Sequence, residues 1–320
     1  MNKKPLLSIC IPTYNRDYLL DKMLKKLVPL AKENNIPIYI SDNASPDSTQ
    51  SVVNKYITTC IIYYKKQSHN IGPDKNYEYL LKNSQSKYKW LLSDSTVINY
   101  DDLKKLLNFL RTTNEDFIVV GVKGRTSCYV SKKYENPNEI LLHLGWHMTY
   151  VSCLIYNEKI INNLSYERYY DSRFLQTGII FEYLAVNKSS VYFYNDLKLD
   201  SISIEKRDHW NNIPFEVFSR DWYLFIMSLP IYYSYESKIT CIKMHGISSG
   251  LFSLKNLFIF RAKKYLSFAI YYKYKFFIQQ TVKYKFLCFS VCFIPSYILY
   301  LLYNLIKKIK RVSYHRLHVV

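Results

Sequence analysis

Thr13, Tyr14 and Asn15 stand between an apolar run that stops at Pro12 and a helical pattern that opens at Asp17. Pro12 has no N–H with which to continue a central strand. In open α/β sheets ligands bind in the crevice at the carboxyl ends of the strands. There Thr13 and Asn15 offer hydrogen bonds, and Tyr14 offers a flat ring to a base. The same pattern serves an ordinary strand-to-helix turn. A second apolar run, Ile36 to Ser41, ends on Asp42, a carboxylate suited to the edge of a base or to capping the polar loop 42–49. Asn70 and Asn76 flank the turn Gly72-Pro73, and Asp94 closes Trp90-Leu91-Leu92-Ser93 with the hydroxyls of Ser95 and Thr96 behind it.

The runs Ile11-Pro12-Thr13-Tyr14-Asn15-Arg16, Ser41-Asp42-Asn43-Ala44-Ser45-Pro46-Asp47-Ser48-Thr49, His69-Asn70-Ile71-Gly72-Pro73-Asp74-Lys75-Asn76 and Trp90-Leu91-Leu92-Ser93-Asp94-Ser95 occur in this order. Together they resemble family 2 glycosyltransferases of GT-A fold, most nearly the bacterial abequosyltransferase-like branch of surface-polysaccharide enzymes. The resemblance is close over residues 5–100, looser to 225 and absent beyond. It implies a nucleotide-diphosphate sugar as donor, a hydroxyl of a lipid-linked or surface glycan (lipopolysaccharide, capsule or similar) as acceptor, and inversion at the anomeric carbon. It assigns Pro12, Thr13, Tyr14, Asn15, Asp42, Asn70, Asn76, Asp94 and Ser95 to the nucleotide sugar.

Glycosyl transfer requires that a diphosphate leave, that positive charge build on the anomeric carbon and that an acceptor hydroxyl lose its proton. A metal or fixed donors can stabilise the leaving group. In the resembled family a later Asp of an Asp-x-Asp motif holds Mg2+ or Mn2+ against the diphosphate. This chain reads Asp94-Ser95-Thr96, so only the first carboxylate is present. Hard cations prefer charged oxygens. Asp94 is therefore expected either to ligate such a metal alone or to work without one. The proton acceptor is expected in the second half, where a positioned carboxylate typically contributes ~10²–10⁴-fold. Asp171, before a helical pattern, is the first candidate, with a plain capping role as its alternative. Glu182, within that pattern, is the second. His209-Trp210 suits acceptor contact or loop closure, and equally a structural role.

Alternating strands and helices from Leu6 to Val122 predict an α/β fold, a Rossmann-like, mostly parallel sheet with helices on both faces. Residues 1–236 are expected to form the transferase domain, 1–122 its nucleotide-binding half and 123–236 its acceptor-binding half. In the second half the pattern predicts an edge strand at 127–132, a strand at 149–156, a helix at 173–187, a strand at 190–194 and a helix over 214–235 broken near Pro230. Residues 237–320 make a basic helical tail. The chain of 320 residues is 49% hydrophobic, which allows a sizeable core. Seven cysteines without a CxxC pair, behind an N-terminus that lacks a signal-peptide pattern, suggest free thiols in a reducing cytoplasm.

The net charge of +19 is uneven: Glu236 is the last acidic residue and 15 Lys and Arg follow it. Such asymmetry points to an anionic partner. Residues 286–306 carry no charge over 21 positions, long enough to cross a bilayer, with Pro295 in the middle. Lysines on both sides give no orientation. A re-entrant or in-plane segment is expected, with 254–277 as an amphipathic helix, so that 254–311 meets an anionic membrane surface. A buried helical subdomain or a partner-binding helix pair is the alternative. With the lipid-linked acceptor that the resemblance implies, the protein is expected at the cytoplasmic face of the inner membrane, peripheral or monotopic. Two other readings are a non-catalytic nucleotide-sugar-binding scaffold and a nucleic-acid-binding protein. The uncharged run argues against a wet phosphate groove, and no nucleic-acid partner is expected.

Overall fold

β1 (Leu7–Thr13) lies between two parallel neighbours and is buried along most of its length. The structure, a computed structural model, describes residues 4–202 and 212–317, with side chains through 308. After β1 come α1 (Asp17–Glu33), β2 (Ile38–Asp42), α2 (Thr49–Asn54), β3 (Ile62–Lys66), α3 (Gly72–Asn83), β4 (Tyr88–Leu91), β5 (Thr96–Val97), α4 (Tyr100–Thr112) and β6 (Phe117–Val122). Then follow β7 (Lys132–Tyr134), α5 (Pro137–Leu144), β8 (Leu154–Asn157), α6 (Leu175–Val186) and β9 (Val191–Ser201). α1 forms because Leu20, Met23, Leu24, Leu27, Val28 and Ala31 recur at helical spacing, and that face is the one it buries.

The strands run β3-β2-β1-β4-β8-β6-β9-β5, with β7 on β9. β3, β2, β1 and β4 are parallel, as the sequence predicts. β8 then enters between β4 and β6, antiparallel to both. The sheet is thus more mixed than expected, because a connection through α5 brings the chain back from the opposite end. The expected edge strand at 127–132 shrinks to β7. The residues before it instead form a loop tied to the Asn195 side chain, whose Nδ2 donates to the Thr126 carbonyl and whose backbone N–H donates to Ser131 Oγ.

Pro12 sits inside β1 rather than ending it. Ile9 and Thr13 turn their backbone groups toward β2, and Cys10 turns its carbonyl toward β4, where it accepts from the Leu92 N–H. By the same alternation Pro12 faces the β4 side, past the end of β4 at Leu91, so no ladder bond is lost there.

By its contacts the chain divides into two compact units, Met1–Glu205 with Ser228–Ser237, and Lys206–Met227 with Lys238–Val320. The sequence suggests one boundary at 236. Residues 212–227 go with the second unit because their side chains complete its core. Phe215 stacks on Phe252 with ring centroids 5.2 Å apart, Tyr274 donates to Glu216 at 2.8 Å, and Thr281 donates to Ser219 at 2.8 Å. In place of a single helix over 214–235 there is a wide turn at Glu216–Asp221, then α7 (Trp222–Ser228), then α8 (Tyr235–Ser248).

The remaining helices are α9 (Leu254–Ala262), α10 (Phe268–Lys273), α11 (Lys275–Thr281), α12 (Lys285–Ser290) and α13 (Ser296–Leu317). The single amphipathic helix expected at 254–277 is therefore three helices. Lys264 breaks the run at φ 64° and Ser267 recaps it, its Oγ accepting from the Ile270 N–H. Leu257, Phe260, Leu266, Tyr271 and Tyr274 are buried in one cluster with Ile278, Cys288 and Val291. No single helix among the described residues is long and apolar enough to cross a bilayer. Lys285–Phe293 and Ser296–Lys308 instead meet at a bend of 103°, where Pro295 interrupts the apolar run. All seven cysteines are free.

Candidate functional site

The carboxyl ends of β1, β2 and β4 bring three of the sequence runs to one edge of the first unit. Asp94 leaves β4 buried at 2% exposure. Its Oδ2 accepts from Thr13 Oγ1 at 3.0 Å, and its Oδ1 lies 2.7 Å from Arg16 Nη1. Buried acids are stable only when paired in this way. Arg16 was missed as a site residue, although it directly follows the Thr13-Tyr14-Asn15 run. Ser95 is buried and shares a 3.1 Å hydroxyl contact with Ser93. Thr96 Oγ1 meets Ser152 Oγ at 2.7 Å, and the Ser93 N–H donates to that same Oγ, which staples the turn to the start of β8.

Tyr14 is 44% exposed, so its ring face is open for stacking. Asn15 takes a left-handed φ of 52°, and its N–H donates to Ser45 Oγ at 2.9 Å. The Asp17 N–H donates to Asp47, which also accepts from the Thr49 N–H and hydroxyl. Loop 42–49 thus clamps the β1–α1 loop.

Asp42 is fully buried. Its Oδ1 accepts from the Ser45 N–H at 2.8 Å and its Oδ2 from Tyr64 Oη at 2.7 Å, so it does cap the turn. Burial, and then the Asp42 carboxylate, push the Tyr64 phenol upward. Asn70 Oδ1 accepts from Asn43 Nδ2 and from the Gly72 N–H, while the Ile71 N–H donates to Asn43 Oδ1. Asn76 is buried and turned to structure: its Oδ1 accepts from Ser41 Oγ at 2.5 Å and its Nδ2 donates to the Ser41 carbonyl at 3.1 Å. It bolts α3 to β2.

Asp171 is exposed, on a loop where it and Arg173 adopt φ of 60° and 67°. Facing this loop is Asp74, buried on α3 and likewise absent from the sequence expectations. Burial pushes Asp74 up to about 6, opposed by the backbone N–H groups of Asp171, Arg173 and Leu175 that face its carboxyl, with the Asp171 charge adding to the rise. The Asp74 carboxyl of α3 therefore lies against the backbone at the start of α6. Tyr77 on α3 senses Asp74, Asp94 and Arg16 together: burial, then the two carboxylates, raise its phenol, and the guanidinium lowers it. That common neighbourhood ties the Asp171 loop to the Asp94 edge. Glu182 is otherwise committed. Its Oε2 accepts from Tyr169 Oη at 2.6 Å and its Oε1 pairs with Arg168 at 3.0 Å. His209-Trp210 lies outside the described residues.

A hard cation needs several oxygen ligands, mostly charged. The acidic turn supplies one carboxylate, with Arg16 on one oxygen and Thr13 on the other. Among the described residues no three His, Cys, Asp or Glu side chains are placed to share a metal ion. This donor set does not fit a metal site built on two or more carboxylates; Asp94 is the one acidic side chain the turn offers.

Residues 8–191 match the model of the family "Glycosyl transferase family 2". Abequosyltransferase RfbV of Salmonella typhimurium is 29% identical over 214 residues, which are 66% of this chain and 56% of that protein. The GalNAc(5)-diNAcBac-PP-undecaprenol beta-1,3-glucosyltransferase of Campylobacter jejuni is 32% identical over 92 residues, 28% of this chain and 29% of that protein. The chain thus spans little more than half of the first relative and less than a third of the second. Among solved structures, mannosyltransferase PcManGT from Pyrobaculum calidifontis, in complex with GDP-Man and Mn2+, superposes with a TM-score of 0.55. The two are 10% identical, and the match covers 91% of this chain and 86% of that one.

Proposed function

The chain belongs to glycosyl transferase family 2 and has its GT-A fold, and we propose that it moves a sugar from a nucleotide-diphosphate donor to a hydroxyl of a lipid-linked or surface glycan. The convergence of the Thr13-to-Arg16, Asp42-to-Thr49 and Asp94 runs on one strand edge carries this reading. Tyr14 offers the base a stacking face, loops 42–49 and 69–72 surround it with backbone and amide groups, and the Arg16–Asp94 pair faces the sugar-phosphate side. Asp171 is the preferred proton acceptor, because Glu182 is held by Arg168 and Tyr169. The names of the two relatives, one an abequosyltransferase and one acting on an undecaprenol-linked glycan, support the acceptor class.

The second unit supports work at a membrane. It contains no acidic residue after Glu236, and Phe286, Phe293, Tyr297, Leu301 and Leu305 stand exposed on the bent helical pair. Aromatic and aliphatic side chains flanked by lysines suit the headgroup region of an anionic bilayer. This reading keeps the protein at the cytoplasmic face of the inner membrane.

The test is turnover. Full-length protein is incubated with membrane-extracted lipid-linked glycans and a panel of labelled nucleotide sugars. Label passing to lipid from one donor, and loss of that transfer in Asp171→Asn, is expected. A folded protein that binds nucleotide but transfers nothing would favour the scaffold reading, which the single-carboxylate motif keeps in play.

A further inference from the structure

We propose that the cation facing the leaving diphosphate is the Arg16 guanidinium, positioned by Asp94, rather than a metal ion held by Asp94. The inference rests on the donor-binding reading above.

Asp94 is the one carboxylate of its turn, and the two residues after it are hydroxyls, Ser95 in contact with Ser93 and Thr96 with Ser152. Its two oxygens are directed at two different partners, the Thr13 hydroxyl and Arg16 Nη1. A divalent ion arriving there would displace a buried charge-assisted bond and find no second carboxylate among the described residues. The guanidinium, in contrast, is already in place. It leaves the β1–α1 loop at the crevice between adjacent parallel strands, its side chain is 22% exposed, and loop 42–49 fixes the backbone on either side of it through Asn15 and Asp17. Arg remains protonated at any working pH and presents several N–H donors in a fixed fork suited to phosphate.

In the transfer the acceptor oxygen forms a bond to the anomeric carbon. The bond from that carbon to the β-phosphate oxygen breaks, and its electron pair stays on the phosphate. The acceptor proton passes to a base, with Asp171 preferred. The nucleoside diphosphate therefore departs with one more negative charge than it carried as an ester. A cation fixed beside it before the reaction stabilises that charge without reorganisation. Asp94 acts through Arg16 and is a positioning residue, while Arg16 touches the leaving group.

The experiment titrates full-length protein with UDP, GDP and CDP and with the matching monophosphates, in EDTA and in Mn2+. For the diphosphate that binds, the expected affinity is the same in EDTA as in Mn2+. A charge-assisted bond of about 1.5–3 kcal/mol corresponds to roughly 10–100-fold in affinity. Arg16→Gln should lose that factor for the diphosphate and leave the monophosphate unchanged, a selectivity a merely structural defect would not produce. Because Arg16→Gln strands the Asp94 charge, the double variant Arg16→Gln with Asp94→Asn is measured beside it and should show the same lost preference. Diphosphate binding that disappears in EDTA and returns with Mn2+ overturns the proposal and leaves the transferase reading standing. A double variant that keeps the diphosphate preference also overturns it. Folded wild-type protein that binds no nucleotide in any condition overturns both.

Discussion

Asp74 makes a quantitative prediction. Its carboxyl is 5% exposed and pushed up to about 6 from the ordinary 3.8, first by burial. Backbone N–H groups of Asp171, Arg173 and Leu175 oppose that rise, and the Asp171 charge adds to it. A rise of about two units between the unfolded and folded states corresponds to about 3 kcal/mol. The folded state holds the proton more tightly than the unfolded one. Asp74 therefore costs no stability below pH 4, and its cost grows as the pH rises to 6 and stays constant above. Asp74→Asn mimics the protonated form at all pH values. The stability of Asp74→Asn minus that of wild type should thus climb by about 3 kcal/mol between pH 4 and pH 7. The difference is the useful quantity because His147 works the other way. Burial, and then the Arg125 charge, hold its imidazole down at about 3, so wild-type stability is lost as pH falls below 6.5 from that group. The assay is urea unfolding read by the fluorescence of Trp90 and Trp146, both buried in the first unit. A difference that stays flat across this range would refute the account of Asp74 as a desolvated carboxylate facing the loop.

Other substitutions test the packing around the same loop and the second unit. A Cβ on Gly178 would come within 2.4 Å of the Tyr169 ring, so Gly178→Ala should cost about 1–3 kcal/mol and shift the Tyr169-to-Asp171 segment, read as a lower unfolding midpoint. Asn76→Ala removes two hydrogen bonds to Ser41, leaving its Oγ the bond from Gln67, and should cost about 1–3 kcal/mol in the same urea titration. Leu301→Asp with Leu305→Asp should reduce flotation with vesicles containing anionic lipid and leave nucleotide affinity unchanged. Equal flotation of wild type and variant would remove 296–308 from the membrane reading.

The parallel strands of the first half were legible because each is a short apolar run stopped by polar residues, and because the helices between them repeat at 3.6. Thr13, Asp42 and Asp94 were legible for the same reason, since a polar residue at the end of such a run lands on the carboxyl edge. What pairs with them was not. Arg16 reads locally as one more charge before α1, and only the fold brings Asp94 of β4 within 2.7 Å of it. Asp74 reads as a first-turn carboxylate of α3, a sufficient local role, and nothing nearby in sequence announces that it faces three N–H groups a hundred residues on. The direction of β8 was not legible, because a four-residue buried strand carries no signal of whether it runs with or against its neighbours. The basic tail hid its core because charge and aromatic content describe a membrane-lying helix and a small helical unit equally well until side-chain burial separates them.

The two missed residues share a property that bears on how the site works. Both lie where one part of the chain meets another: Arg16 of the β1–α1 loop pairs with Asp94 after β4, and Asp74 of α3 lies against the loop before α6. Tyr77, one turn of α3 beyond Asp74, senses both arrangements. α3 packs against β1, β4 and α6, so on the roles proposed above a shift of it would disturb the leaving-group side and the proton-accepting side together. Asn76 and Ser41 anchor that helix to β2 by two hydrogen bonds, at the point where movement would couple the two. The single remaining carboxylate of the acidic turn is consistent with such a site. On the proposal above, its work is to fix a cation that the chain carries already.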